Sequence, residues 1–211
     1  MKKIAIVGFG ELGQQFFEIF NVNSSVAEFA FFDDLLFDKK IKDAYPFNDF
    51  KKDHFAHYDF YIALGYKNLN NKSQIIEELL HLKRNLPKFI HSTSFVNSTA
   101  QIGENTFLYP MCNIDKGVCI GKGVLLNNSV TISHNNTIGD CCYLSPGVIT
   151  SGFVEIGEKT FIGSGAIISN KIKIGKNVKI GIGSVVTCDI PDGCSAIGNP
   201  AVILKGELRL L

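Results

Sequence analysis

The sequence has no apolar run approaching the roughly 20 residues that a membrane-spanning helix needs; its apolar stretches, such as Ile4–Val7 and Phe60–Leu64, are far shorter. It has no excess of either charge. A formal net charge of +1 leaves no electrostatic footprint for nucleic acid or an anionic membrane. It has no CxxC pair, and none of its six cysteines (Cys112, Cys119, Cys141, Cys142, Cys188, Cys194) stands at zinc-ligand spacing from a histidine. In a reducing compartment such residues read as small buried hydrophobes. The opening MKKIAIVGFGELG carries two lysines and an apolar run, but glycines interrupt it and Glu11 follows without a small-residue cleavage site. No secretion signal is expected, and the cytoplasm is the expected compartment. The 211 residues, 45% hydrophobic and 19% charged, suit a soluble protein of one large or two small domains.

What is present is a repeat. Stepping by six from Val96 to Val186 gives sixteen positions, of which fifteen are aliphatic and only Thr150 is not. Glycine often follows the aliphatic residue, as at Gly103, Gly121, Gly139, Gly157, Gly163, Gly175 and Gly181. Four positions after the aliphatic residue, small or β-branched side chains recur, among them Thr106, Val118, Val130, Val148 and Thr160. An amphipathic α-helix needs apolar residues at i, i+3, i+4 and i+7, which a step of six does not supply. Each unit therefore reads as a short strand and a turn, its aliphatic side chain pointing into a narrow core. Three units make a triangular coil, and successive coils stack at about 4.8 Å. The glycines are expected to permit the turns.

Residues 1–90 lack the six-step and read as a separate domain, with residues 91–211 forming the β-helix and its tail. Lys3–Val7 predicts a strand, Gly8–Gly13 a glycine turn into a helix reaching about Phe20, Ala27–Phe32 a second strand ending at Asp33-Asp34, Asp59–Leu64 a third ending at Gly65, and Asn71–Arg84 a helix. Alternating strands and helices argue for a small parallel sheet of Rossmann type. The fold class is thus α/β plus β. Glycines at 8, 10 and 13 with acids at 33 and 34 fit the dinucleotide fingerprint formally. A dinucleotide needs two mononucleotide-binding halves, however, and about three strands supply one. The expectation is one nucleotide at the turn formed by Gly8, Gly10 and Glu11, the acids Asp33 and Asp34, and Gly65, without NAD. A purely structural domain is the alternative.

Of five histidines, only His134 falls within the regular coils. It stands two residues after inward Ile132, and so faces outward. Gly152 follows it by 18 residues, one coil on, and would stack beside it with no side chain over its N–H. A base beside a bare amide suits acyl transfer: the imidazole takes a proton from an amine or hydroxyl, and the amide stabilises the oxyanion. A solvated turn histidine is the other reading. No metal is expected, since one histidine is too few for a β-helix metal centre.

Taken together, the glycine-rich front domain, Asp33-Asp34 and the uninterrupted coils resemble the bacterial sugar acyltransferases of the PglD/NeuD group, over essentially the whole chain. Leu126-Asn127 followed by His134 matches the Leu-Asn pair before that group's histidine, and Gly198-Asn199-Pro200-Ala201 matches the superfamily's tail. The resemblance implies a left-handed β-helix and a homotrimer with sites between neighbouring prisms. It makes His134 the general base, has Gly152 polarise the acetyl carbonyl, and puts Asn127 on the amino sugar. Nucleotide contacts fall to the Gly10 turn and Asp33-Asp34, and the pantetheine groove of acetyl-CoA to Ser164-Gly165 and Ile182-Gly183. Two positions depart from the group. Asn135 stands where a carboxylate often follows the histidine, so it can orient the ring but cannot offset its charge. Tyr143 replaces a further histidine on the acetyl-CoA side. The implied activity is acetyl-CoA-dependent N-acetylation of a nucleotide-linked amino-dideoxy sugar in surface-glycan biosynthesis. The alternatives are sugar O-acetylation of the sialic-acid type and a non-catalytic nucleotide-binding scaffold.

Overall fold

A computed structural model of the chain describes residues 2–22 and 26–204. The polypeptide divides into two compact units between Pro87 and Lys88. The last stretch of the expected tail, residues 205–211, lies outside the described residues.

The first unit is built on a parallel sheet. Strand β1 (Lys2–Val7) lies between β2 (Val26–Phe32) and β4 (Asp59–Ile62), and β3 (Ala44–Tyr45) extends the sheet beyond β2. The sequence pattern supplies three of these strands. It misses β3, whose two residues are too few to display a period. Helix α1 (Glu11–Asn21) links β1 to β2 and buries Gly13, Phe16 and Phe20. Helix α2 (Asp34–Asp38) follows β2, and α3 (Leu69–His81) begins and ends earlier than the sequence suggests. Gly13 is held to glycine by packing, since a Cβ there would lie 2.3 Å from the Gly8 carbonyl oxygen. Phe32 anchors an aromatic core with Phe50, Phe55 and Phe60 around it. The carboxyl ends of β1, β2 and β4 lead into Gly8–Gly10, Asp33-Asp34 and Gly65.

The second unit is a parallel β-solenoid with three faces. The first face carries Phe89–Ile90, Phe107–Leu108, Leu125–Leu126, Tyr143–Leu144, Phe161–Ile162 and Lys179–Ile180. The second carries Phe95–Val96, Asn113–Ile114, Thr131–Ile132, Ile149–Thr150, Ile167–Ile168 and Val185–Val186, and the third runs from Gln101–Ile102 to Lys173–Ile174. Each strand pairs in register with the one a coil away, as Ile132 with Thr150 and Thr150 with Ile168. From Leu108 to Val186 the row side chains are buried in one continuous core. Each such aliphatic side chain contributes about 1.5–3 kcal/mol on burial.

The coils start earlier than the Val96 of the sequence pattern, because Phe89–Ile90 already pairs with Phe107–Leu108. They end where the step shortens: Ile190 bridges Ile174, and Ser195 pairs with Lys179. These pairings span two residues fewer than a full coil, which breaks the six-step after Val186. A hairpin of Ser195–Gly198 with Ala201–Ile203 then closes the first face, with a cis Asn199–Pro200 bond between its strands.

The glycines have a different role from the one expected. Left-handed φ recurs at every sixth residue from Asn105 through Met111 and Gly117 to Gly183, three positions after each aliphatic residue. Those corner residues make the turns. The glycines directly after the aliphatic row are needed for clearance instead. A Cβ at Gly103 would lie 2.5 Å from the Gly121 backbone one coil on, and one at Gly157 would lie 2.5 Å from Lys176 N.

Candidate active site

At the corner following the second face, His134, Gly152 and Asn170 stack on successive coils, because the strands Thr131–Ile132, Ile149–Thr150 and Ile167–Ile168 are in register. The stacking is tight. A Cβ on Gly152 would lie 2.5 Å from His134 Cε1, 2.7 Å from Nε2 and 3.1 Å from Asn170 Oδ1. Gly152 is therefore the residue that lets the Cε1–Nε2 edge of the imidazole approach the next coil so closely.

The imidazole is half-buried. Its Nδ1 lies 3.1 Å from Asn135 Oδ1. An amide oxygen can only accept, so Nδ1 carries the hydrogen and Nε2 keeps its lone pair on the Gly152 side. That is the tautomer a general base requires. Asn135 is a corner residue with φ of +59°, a conformation asparagine tolerates. Its amide lies over Gly117, where a Cβ would come within 2.8 Å of Nδ2. The Phe153 ring meets the imidazole edge-on at 5.0 Å and walls one side.

Backbone accounting around Gly152 leaves one N–H over. Ser151 N–H donates to Ile168 O, Gly152 O accepts from Lys171 N–H, and Phe153 N–H donates to His134 O. Ser151 O accepts from Asn136 Nδ2 at 3.0 Å, and Val154 N–H donates to Asn136 Oδ1. Gly152 N–H is the one backbone N–H of residues 151–154 without a hydrogen-bond partner among the described residues. A buried N–H is ordinarily paired, so an unpaired one beside a base is a chemical opportunity.

Asn136 is the residue that sequence reasoning missed. It is fully buried, and its Nδ2 also donates to Thr150 Oγ1 at 2.6 Å. Thr150 thus breaks the aliphatic row because a buried amide needs a partner. The signal was present: an asparagine occupies a slot otherwise small or β-branched, next to the row's one polar residue.

The remaining residues of the solenoid group at the opposite end of the second-face strands. Asn127 Nδ2 donates to Tyr143 Oη at 3.4 Å, while Asn127 Oδ1 accepts from Asn128 N–H at 2.8 Å. On the same corner Gly147, Gly165 and Gly183 align one coil apart, each with left-handed φ, and a Cβ at Gly165 or Gly183 would meet open space. With exposed Ser164 beside them and Ile182, 72% exposed, at the edge, they form a strip of bare backbone. A single chain therefore does not bring this strip or Asn127 to His134. The two groups occupy opposite ends of the same short strands.

In the first unit, Asp33 Oδ2 accepts from Phe9 N–H at 3.0 Å, and Oδ1 accepts from Leu35 and Leu36 N–H at 3.0 and 3.2 Å. The carboxylate joins the glycine turn to the start of α2. Asp34 Oδ1 accepts from Phe47 N–H at 2.8 Å. Both acids thus organise loops. Gly8 has φ of +87°, and a Cβ there would lie 3.0 Å from Leu64 Cδ2, which brings the turn close to Gly65. Gly10 caps α1 without a side chain, exposed Glu11 opens the helix, and both Gly10 and Gly65 face open space.

No group of three or more His, Cys, Asp or Glu side chains able to hold a metal occurs among the described residues. No helix among them is long and apolar enough to cross a membrane.

No family model matches the chain. Among curated proteins, 50 residues are 42% identical to an acyl-[acyl-carrier-protein]–UDP-N-acetylglucosamine O-acyltransferase of Bartonella quintana (strain Toulouse); the match spans 24% of this chain and 18% of that protein. Among solved structures, the acetyltransferase domain of PglB from Neisseria gonorrhoeae FA1090 aligns with a TM-score of 0.81 and 29% identity, covering 97% of this chain and 100% of that one. WeeI from Acinetobacter baumannii AYE aligns with a TM-score of 0.84 and 26% identity, over 97% of this chain and 100% of the other. PerB from Caulobacter crescentus, solved with CoA and GDP-perosamine, shares the fold at a TM-score of 0.82 and 24% identity, with 97% of each chain covered. The resemblance to the Neisseria acetyltransferase domain thus extends over 97% of the chain, both units included.

Proposed function

We propose that this chain is an acetyl-CoA-dependent N-acetyltransferase that acetylates the amino group of a nucleotide-linked amino-dideoxy sugar in surface-glycan biosynthesis. The observation that carries the reading is the unpartnered Gly152 N–H against the imidazole of His134. In this reading the amine nitrogen of the sugar attacks the thioester carbonyl as His134 Nε2 takes its proton. The oxyanion that forms accepts a hydrogen bond from Gly152 N–H. Collapse breaks the carbon–sulfur bond, and the imidazolium returns the proton to the departing thiolate of CoA. Asn135 holds the ring through Nδ1 without adding charge.

Acetyl-CoA as the donor is supported by the complex of the Neisseria domain with acetyl coenzyme A, 28% identical to this chain. A nucleotide-linked acceptor is supported by the front unit, read as Rossmann-like. In it the nucleotide would meet Gly8, Gly10 and Glu11 at the open N-terminus of α1, with Asp33, Asp34 and Gly65 shaping the pocket. The solenoid is read as left-handed. The strip of Gly165 and Gly183 with Ser164, Ile182 and Tyr143 would carry the pantetheine arm, and Asn127 would contact the amino sugar. Because strip and base lie at opposite ends of the same strands, a homotrimer would complete each site from two copies. The expected setting is the cytoplasm, where acetyl-CoA is made.

The test is release of CoA thiol, with acetylated product identified by mass, against GDP-, UDP- and dTDP-linked 4-amino sugars and against sialic acid. Turnover of an amino sugar supports the reading. The O-acyltransferase relative keeps a hydroxyl acceptor as the second reading, and turnover of sialic acid alone would favour it. A chain that binds nucleotide yet gives no calorimetric signal with acetyl-CoA would be a scaffold.

A further inference from the structure

We infer that Asn136 is a positioning residue for the acetyl-transfer site, turning the Ser151–Gly152 peptide so that Gly152 N–H points outward beside His134. The inference rests on the acetyltransferase reading and explains why this amide is available.

Four buried or half-buried polar side chains clamp neighbouring coils in one way. Each donates to the carbonyl 15 residues ahead and accepts from the N–H 18 residues ahead: Ser94 to Tyr109 O and from Cys112, Thr106 to Gly121 O and from Val124, Thr160 to Gly175 O and from Val178, and Asn136 to Ser151 O and from Val154. In a planar trans peptide the C=O and the following N–H point oppositely. A carbonyl drawn inward by the clamp therefore sends the next N–H outward.

What that N–H meets differs among the four. Lys122 N–H, after the Thr106 clamp, donates to Asp140 Oδ1 at 2.9 Å, and Lys176 N–H, after the Thr160 clamp, donates to Asp192 Oδ1 at 2.8 Å. After the Ser94 clamp comes Pro110, which has no N–H. Of these four, the Asn136 clamp is the one that leaves its outward N–H without a hydrogen-bond partner among the described residues, as the Cys142 thiol, donating to Gly157 O at 3.1 Å, also leaves Glu158 N–H. Beside the Gly152 N–H the residue a coil on is Asn170, whose Oδ1 stands 3.1 Å from the Gly152 Cβ position and takes no hydrogen bond from this N–H.

Two double variants separate clamp from core. Asn136→Thr with Thr150→Ile copies the neighbouring coils, where Thr106 and Thr160 clamp above an aliphatic row. Asn136→Val with Thr150→Ile copies the coils that have valine in the slot, and so fills the core without a clamp. Both should melt at or above the wild-type temperature. On an amino sugar that the wild type acetylates, the threonine variant should keep kcat within about threefold, whereas the valine variant should lose about 10- to 100-fold in kcat at unchanged KM for acetyl-CoA. Wild-type kcat in the valine variant, or equal losses in both, would overturn the proposal. If the wild type acetylates nothing, the acetyltransferase reading fails. The clamp is then judged on 15N-glycine-labelled protein: a Gly152 amide resonance that shifts in the valine variant but not in the threonine variant supports it, and an unmoved resonance overturns it.

Discussion

The His134 imidazole rests on Gly152 so closely that a methyl group at residue 152 would lie 2.5 Å from Cε1 and 2.7 Å from Nε2. Gly152→Ala must therefore displace the ring, which is free to swing because it is the end of a side chain. The backbone of residue 152 has no left-handed φ, so the fold should survive. We expect a normal circular dichroism spectrum and a kcat lower by about 100-fold, since base and amide are disturbed together. Undiminished turnover would mean that the contact is packing alone.

His134→Ala removes the base and leaves the coil intact, because the side chain points away from the core. Turnover should fall by about 10²–10⁴-fold, while acetyl-CoA affinity by calorimetry stays near wild type. A loss of binding in parallel with turnover would instead give His134 a role in holding the donor.

The solenoid was legible in the sequence because its period is short and each aliphatic side chain repeats one environment. The stacking of His134 on Gly152 followed from the same arithmetic. What the row could not reveal was the role of its own lapse. Thr150 reads as a defect until the Asn136 amide is seen donating to it, and that pairing depends on side-chain length and direction rather than on period. The corner conformation was misassigned for a similar reason. Glycine signals either left-handed φ or close approach, and composition alone does not tell Gly117 from Gly121. In the first unit the glycine turn and the acids were legible as neighbours. That Asp33 would spend its oxygens on three backbone N–H groups was not.

Asn135→Asp tests the amide that replaces a carboxylate. Aspartate tolerates the same left-handed corner, and its charge would stabilise the imidazolium on Nδ1. The imidazolium that forms as the amine proton is taken would then be better stabilised, so kcat should rise by about tenfold or less. A kcat equal to that of the wild type would show that Asn135 does not act on the ring.

Thiol chemistry should divide the cysteines. Burial pushes Cys112 up to about 11 and Cys142 up to about 12, far from the range in which a thiol ionises near neutrality. Cys119 and Cys188 are exposed. With a thiol reagent at pH 8, Cys119 and Cys188 should react in the native protein, and Cys112 and Cys142 only after denaturation. Rapid native reaction of Cys142, mapped by peptide mass, would mean that the core opens. The exposed pair also sets the background to subtract in any assay of CoA release.

On the outer side of the second face Ile149 and Ile167 stand on adjacent coils, 42% and 41% exposed in a single chain, with Thr131 and Asn113 on the rungs between them and the exposed Phe95. An exposed pair of stacked isoleucines is a candidate contact between copies, and it lies between the corner holding His134 and the strip holding Gly165. If copies pack through it, each base meets a neighbour's strip. Ile149→Asp with Ile167→Asp should then convert a trimer in sedimentation velocity to a monomer, because a carboxylate buried in an apolar contact without a partner is costly. The charges face outward from the core, so the isolated solenoid should stay folded. Turnover should disappear with the trimer although His134 and Gly152 are intact in every chain. A monomer that still acetylates would place base and donor strip on one chain and remove the need for a partner.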